Sequence, residues 1–387
     1  MDLDPESMNA AQRARCGGRA ELAAALRASR AATLALLDAY VAALGESLQV
    51  PYSVQLNPPR WETGHVAWFQ DFWIARNRQR NRGIACDPEH ARPEGRLPGA
   101  DALYNSSRVA HARRWDLPLP DLAATRDYLA ASLDDSLALL AGSKESDEGL
   151  YFHRLALFHE DMHAEAAIYM AQALDIPLPS GLMQPACEPQ ANRPLRVAAQ
   201  SWMLGYCGPG FAFDNELQAH EASVEEFEID SEPVSWARYL PFVEAGAAAP
   251  PRYLRRQDGE WQCREFGAWR ALDLDAPASH LTWHEAEAWC RWAGRRLPTE
   301  TEWELAACTE PDFRWGQVWE WSASRFLPYP GFAAHPYRDY SAPWFGERYV
   351  LRGASRATSP RMAHPRYRNY FTPERNDIHM GFRSCSA

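Results

Sequence analysis

The sequence predicts an α+β multidomain chain: a four-helix bundle over residues 19–175, then a domain of low regular secondary structure over 197–387. Three observations predict it. Apolar residues recur at helical spacing through the first part and nearly lose that pattern in the second. Five prolines fall between 176 and 196, which marks a linker or an extended wrap. Short segments rich in Trp, Tyr, Gly and Pro follow, with room for only two clear helices.

Residues 1–18 carry no apolar period and read as disordered. They also lack an apolar core followed by a cleavage site, so no signal peptide is expected. From residue 19, Leu22, Leu26, Leu34, Leu37, Tyr40, Val41 and Leu44 define one amphipathic helix to about 46. A second follows Asn57-Pro58-Pro59, where proline suits a first helical turn. It runs through Trp61, His65, Trp68, Phe69 and Phe72 to about Arg76. Residues 81–118, rich in Gly, Pro, Arg and Asp, read as a long ordered loop. The third helix spans about 120–142 with Asp121 as cap, and the fourth about 147–175. Four helices with one long crossover fit a bundle. In the second half, helices are expected near 234–246 and 282–294.

The 387 residues are 46% hydrophobic and 24% charged, enough for a packed core. The net charge of -11 and the lack of a basic stripe argue against a nucleic-acid partner. No stretch of about 18 apolar residues exists, so no membrane span is expected. The eight cysteines form no C-x-x-C pair and read as reduced thiols of a cytoplasmic protein.

The chemistry-bearing residues are histidines. His159 and His163 stand at i and i+4, so they share one helix face and can hold one metal ion. His65 adds a third imidazole from the second helix. Neutral imidazoles suit Zn, Fe, Cu or Ni. Three protein ligands leave coordination positions open, as catalysis requires. His-Glu-x-x-His also matches the zinc-protease pattern with Glu160 as base, but no downstream third ligand appears. The aromatic segments at 295–324 and 350–383 read mostly as core. A subset can wall a pocket for a trimethylammonium group through cation–π attraction, and a tyrosine there can donate a proton.

With those residues in view, the chain resembles a known family. NPPRWETGHVAWF (57–69) and HEDMH (159–163) resemble the iron-binding motifs of the DinB-like bundle in ergothioneine sulfoxide synthases. FAFDNE (211–216), LPTETEWE (297–304), GQVWEWSAS (316–324), VLRGAS (350–355) and MGFR (380–383) resemble the formylglycine-generating-enzyme domain, which has a C-type-lectin-like fold. The resemblance covers about 19–386. It implies Fe(II) held by His65, His159 and His163, O2 as co-substrate, and hercynine as substrate. It places the catalytic tyrosine at Tyr337 or Tyr340, with Tyr337 preferred. Asn369 and Tyr370 match a pair that lines the hercynine site.

Three departures bear on the second substrate. Phe371 stands where thiol-peptide-using members carry aspartate, Met162 where many carry glutamine, and the stretch between LPTETEWE and GQVWEWSAS is short. Segments 64–80 and 97–122 are more similar to the selenoneine synthase branch, whose donor is a selenosugar. Arg108, Arg113 and Arg114 lie where related enzymes position donor-binding arginines. The resemblance therefore implies C–Se bond formation between hercynine C2 and a selenosugar. Two other readings stand beside it. One is C–S bond formation with cysteine or γ-glutamylcysteine. The other is a zinc-stabilised, lectin-like binding protein.

Overall fold

A computed structural model describes residues 9–387. The chain divides into two compact units, with the break after Leu182. The first unit also takes in two short later segments, Pro209–Phe211 and His335–Asp339. The sequence reading, a single domain over 197–387, did not anticipate those two.

The first unit holds six α-helices among the described residues. They are α1 (Ala10–Cys16), α2 (Arg19–Leu44), α3 (Pro59–Gln70), α4 (Ala100–Tyr104), α5 (Leu122–Ala141) and α6 (Asp147–Ala173). The bundle is α2, α3, α5 and α6, with α2 packed on α6 and α3 on α5. The expected cap forms at Asp121, which accepts from Ala124 N at 2.8 Å, and Ser146, not singled out in the sequence, caps α6 by accepting from Gly149 N at 3.2 Å.

Helix α1 corrects the expectation of disorder at 1–18, of which residues 1–8 lie outside the described residues. A seven-residue helix is marginal on its own. This one has a reciprocal capping box between Asn9 and Gln12. It is also tied down by Arg15, which exchanges hydrogen bonds with Phe211: Nη1 to the carbonyl at 3.2 Å and the Arg15 carbonyl to Phe211 N at 2.9 Å.

Helix α3 continues into one π-helical turn, Asp71–Ala75. The crossover to α5 is held by charged residues as well as by buried Tyr104 and Val109. Arg76 forms a two-pronged pair with Asp101 at 2.7 and 2.8 Å, and Arg92 lies 4.0 Å above the Phe72 ring. Short helical turns at Arg80–Ala85, α4 and His111–Trp115 punctuate it.

The second unit is built from thirteen short strands among the described residues. In order they are β1 (Pro194–Val197), β2 (Gln200–Leu204), β3 (His220–Val224), β4 (Phe227–Asp230), β5 (Leu254–Gln257), β6 (Glu260–Glu265) and β7 (Ala268–Ala271). Then come β8 (Arg295–Arg296), β9 (Trp319–Arg325), β10 (Tyr349–Gly353), β11 (Asn369–Phe371), β12 (Met380–Phe382) and β13 (Cys385–Ser386). They form sheets ordered β1-β4-β13-β8, β11-β10-β9-β12, β2-β3 and β5-β6-β7. All pairs are antiparallel except β12 beside β9.

Three helices accompany the sheets: α7 (Trp236–Glu244), α8 (Trp283–Trp292) and α9 (Glu300–Thr309). The first two were expected. The third was not, because Pro298 and a dense run of Thr and Glu mask its start. Thr299 and Glu302 in fact form a capping box there.

The core of this unit gathers Val197, Phe227, Ile229, Trp303, Leu305, Phe313 and Cys385. Buried charges run through it in matched pairs. Arg383 grips both oxygens of Glu320 at 2.7 and 2.8 Å, and Trp303 Nε1 donates to the same carboxylate at 2.8 Å. No disulfide joins any of the eight cysteines. Among the described residues no helix is long and apolar enough to cross a membrane.

Candidate metal centre

Helices α3 and α6 bring the three histidines together. His65 sits nearly two turns into α3, its ring stacked on Trp61 at 4.8 Å between centroids. Its Nδ1 lies 2.8 Å from the Tyr104 carbonyl. A carbonyl only accepts, so Nδ1 carries the proton and Nε2 a bare lone pair. The close approach of Tyr104 requires Gly64: a Cβ there would fall 2.3 Å from the Tyr104 ring.

On α6, the His159 ring lies flat against Phe69, centroids 3.5 Å apart and 8° from parallel. His163 turns its Nδ1 to the Glu62 carboxylate, whose other oxygen accepts from Asn57 Nδ2. That pairing again leaves Nε2 as the free donor atom.

The three Nε2 atoms converge. His159 Nε2 lies 3.2 Å from that of His65 and 3.2 Å from that of His163. Two nitrogens each about 2.1 Å from one ion, subtending about 90–110°, stand about 3.0–3.4 Å apart. The separations therefore fit a shared ion, and three imidazoles, two buried and one half-buried, suit iron or zinc.

Electrostatics agree with that use. Burial, helped by neighbouring His163, pushes His65 down to about 3, and burial holds His159 well below the usual histidine range. Both rings are neutral at physiological pH, the form a metal takes. Burial would raise Glu62, but His163, His65 and Asn57 outweigh it and hold the carboxyl at about 2. The site thus contains one anion beside its imidazoles.

Glu160 does not face this cluster. It is fully buried among Arg30 (Nε at 2.7 Å), Thr33 (2.8 Å) and Gln70 (2.9 Å), tying α2 and α3 to α6. Asp161 likewise accepts from Ser29 at 2.7 Å. The protease reading, which needs Glu160 as a free base, falls on this geometry.

Tyr337 belongs to the same unit. Its ring packs edge-on to Phe69 at 5.0 Å and lies 6.0 Å from the His159 ring. Burial, with Asp339 nearby, raises its hydroxyl, and Ser106 hydrogen-bonds to it. Arg114 lies 3.9 Å over Trp61 and donates to Asn57 at 2.8 Å. Arg108 is exposed, and Met162 is half-buried on α6.

Tyr340, Asn369, Tyr370 and Phe371 lie in the second unit. The Tyr340 hydroxyl is 2.9 Å from that of Tyr367, and its ring stacks on Phe213. Asn369–Phe371 forms β11 against β10, and Tyr370 stacks on Phe326 at 3.9 Å. Sequence reasoning missed Glu62 and Tyr104. Glu62 was discoverable as an acid one turn before His65 on the same helix face. Tyr104, 39 residues from its partner, left no local signal.

Comparison with known proteins settles the family. The sulfatase-modifying factor enzyme 1-like domain matches residues 180–317 and 312–387, more than half of the chain. The chain belongs to that family. Its helical half, residues 25–171, matches the DinB superfamily. Hercynine oxygenase of Mycolicibacterium smegmatis is 29% identical over 438 residues, covering 94% of this chain and 98% of its own. The hercynine oxygenase of Mycobacterium tuberculosis is 29% identical over 435 residues with the same coverage. The formylglycine-generating enzyme of Streptomyces coelicolor is 25% identical over 310 residues, covering 56% of this chain and 96% of its own. The sulfatase-modifying-factor-type chain thus carries a DinB-type bundle and aligns end to end with hercynine oxygenases.

Proposed function

We propose that this chain is an iron- and O2-dependent enzyme that joins a chalcogen atom to C2 of the hercynine imidazole. The observation that carries the reading is the convergence of His65, His159 and His163 Nε2 in a chain aligned end to end with hercynine oxygenases. The donor that reading favours is a thiol, cysteine or γ-glutamylcysteine. The balance is then hercynine C2–H plus R–SH plus O2, giving the C2–S(=O)–R sulfoxide plus water. Iron, when bound, supplies O2 activation. His65, His159 and His163 hold it, and Glu62 and the Tyr104 carbonyl fix the tautomers of two of them. Tyr337 Oη donates a proton toward the oxygen that leaves as water. Phe69 and Trp73 pack edge-on against the Tyr337 ring, and Ser106 hydrogen-bonds to its hydroxyl. Asn369 and Tyr370 are assigned to hercynine by resemblance.

A second reading, a selenosugar donor, is favoured by one feature of this chain. Residue 371 is Phe, which offers no charge to a thiol peptide's ammonium group. Anaerobic enzyme loaded with Fe(II) is mixed with hercynine and either γ-glutamylcysteine, cysteine or the selenosugar, and product is followed by mass spectrometry. Silence until O2 enters, then coupled product, is the expected result, and the faster donor decides between the two readings. Equal turnover without iron rejects both. Tight zinc with no O2-dependent product returns the binding-protein reading.

A further inference from the structure

Tyr337 is the middle residue of a five-residue segment, His335–Asp339, that belongs to the first unit although it lies far along the chain. Both ends of this segment are fastened. At its start, His335 Nδ1 lies 3.0 Å from Tyr151 Oη, in a pair where both side chains are buried. At its end, Asp339 accepts from Ser107 Oγ. Between them Pro336 limits backbone freedom, and its carbonyl accepts from Arg338 N at 3.0 Å.

Tyr151 is itself immobilised. Its ring meets Phe152 edge-on at 5.0 Å and packs against Phe211 at 5.4 Å. It stands on α6 eight residues before His159, about 12 Å along the axis. One uninterrupted 27-residue helix therefore carries two of the three clustered histidines and the anchor for the tyrosine segment. Any shift of Tyr151 relative to His159 would have to bend that helix.

We propose that the Tyr151–His335 hydrogen bond is the positioning device for Tyr337: it fixes the reach of the tyrosine hydroxyl over the histidine cluster and touches no substrate itself. This rests on the reading of Tyr337 as proton donor given above. Neither Tyr151 nor His335 is a catalytic residue. They act through Tyr337 alone, so removing their bond misplaces the hydroxyl while leaving the metal ligands untouched. Misplacement on the order of 1 Å costs about 100-fold in rate.

The test is a double-mutant cycle on the iron-loaded enzyme, with hercynine and the faster of the donors compared above. Tyr151→Phe keeps the ring packing and removes only the bond. It is expected to lower kcat about 10- to 100-fold with unchanged hercynine KM and unchanged iron stoichiometry. In a Tyr337→Phe background the same change is expected to have no further effect. His335→Asn keeps a polar atom near the Nδ1 position and is expected to restore most of the rate lost in His335→Ala. It also serves if Tyr151→Phe does not fold. An equal loss from Tyr151→Phe in both backgrounds would show a general structural role and overturn the proposal. Wild-type kcat in Tyr151→Phe, with Tyr337→Phe impaired, would overturn the positioning claim but leave the donor reading standing. Full activity of Tyr337→Phe would remove the donor reading and the proposal with it.

Discussion

The Phe69 ring lies parallel to the His159 imidazole, 3.5 Å from centroid to centroid, and meets Tyr337 edge-on at 5.0 Å. One apolar side chain thus fixes the plane of a candidate metal ligand and the approach of the nearby tyrosine. Phe69 is fully buried. Phe69→Ala is expected to destabilise the first unit by about 3–5 kcal/mol through the cavity it leaves. Phe69→Leu keeps most of the volume and is expected to cost under about 1.5 kcal/mol. Yet it removes the stack that holds the ring plane, so its ferrous affinity should fall while its fold persists. Denaturant unfolding and metal titration of the two variants check this. Unchanged iron affinity in Phe69→Leu would show the stack to be mere packing.

Glu62 holds His163 at Nδ1, the nitrogen turned away from the Nε2 cluster. Removing the charge while keeping the shape, in Glu62→Gln, leaves His163 free to adopt either tautomer. Outer partners of metal-bound histidines contribute about 10- to 100-fold in affinity, and a loss in that range is expected here. Competition against a ferrous chelator measures it. Affinity equal to the parent's would mean that His163 is oriented by its helix alone.

The bundle and its histidine cluster were legible because both rest on short-range periodicity. The i, i+4 spacing of His159 and His163 and the helical flank of His65 are properties of single helices, and so is the cap at Asp121. What was hidden depends on residues distant in sequence. Tyr104 reaches His65 across the crossover, and Arg15 pins α1 through Phe211. No window of sequence contains either pair. Helix α9 was missed for another reason: its capping box sits in a Thr- and Glu-rich run that resembles loop composition. The inclusion of His335–Asp339 in the first unit follows from tertiary contacts that neither period nor composition records.

Gly64 illustrates a constraint that is invisible without coordinates. A Cβ at 2.3 Å from the Tyr104 ring forces that ring, and the carbonyl behind it, away from α3. Overpacking of this kind costs about 1–3 kcal/mol. Gly64→Ala is therefore expected to be destabilising although alanine is the better helix former by about 1 kcal/mol. It should also weaken metal binding, because His65 loses its carbonyl partner. A melting temperature at or above the parent's would contradict the crowding.

Glu160 sits within the zinc-protease pattern but acts as a structural anion. Its carboxylate faces the Arg30 guanidinium at 2.7 Å with both side chains nearly inaccessible. Glu160→Gln leaves the Arg30 charge buried and uncompensated, and removing one partner of such a pair costs about 3–5 kcal/mol. Chemical denaturation should show that loss, and the variant's iron stoichiometry under native conditions should stay that of the parent. Loss of iron without loss of stability would reverse the assignment and return Glu160 to the metal site.

The second unit should respond to acid through Glu300. Burial pushes this carboxyl up, but Arg368 and Arg352 outweigh it and hold it below its ordinary value. Arg368 reaches both oxygens, Nε at 2.9 Å and Nη2 at 3.0 Å, while Arg352 Nη2 reaches one at 3.0 Å. A group whose folded-state pKa lies below its unfolded value contributes stability in full above that unfolded value, about 4.3 for Glu. The contribution fades as pH falls from there through the folded pKa, where the folded state at last takes up the proton. Stability of the second unit is therefore expected to be flat in this respect from pH 7 to about 5 and to fall on further acidification. Glu300→Gln should be less stable at neutral pH, with two buried guanidinium groups lacking their shared anion. Its stability should also change less steeply than the parent's below about pH 4.3. Unfolding curves of both proteins between pH 3 and 7 decide the matter. Parallel pH profiles would mean that Glu300 does not carry the acid response.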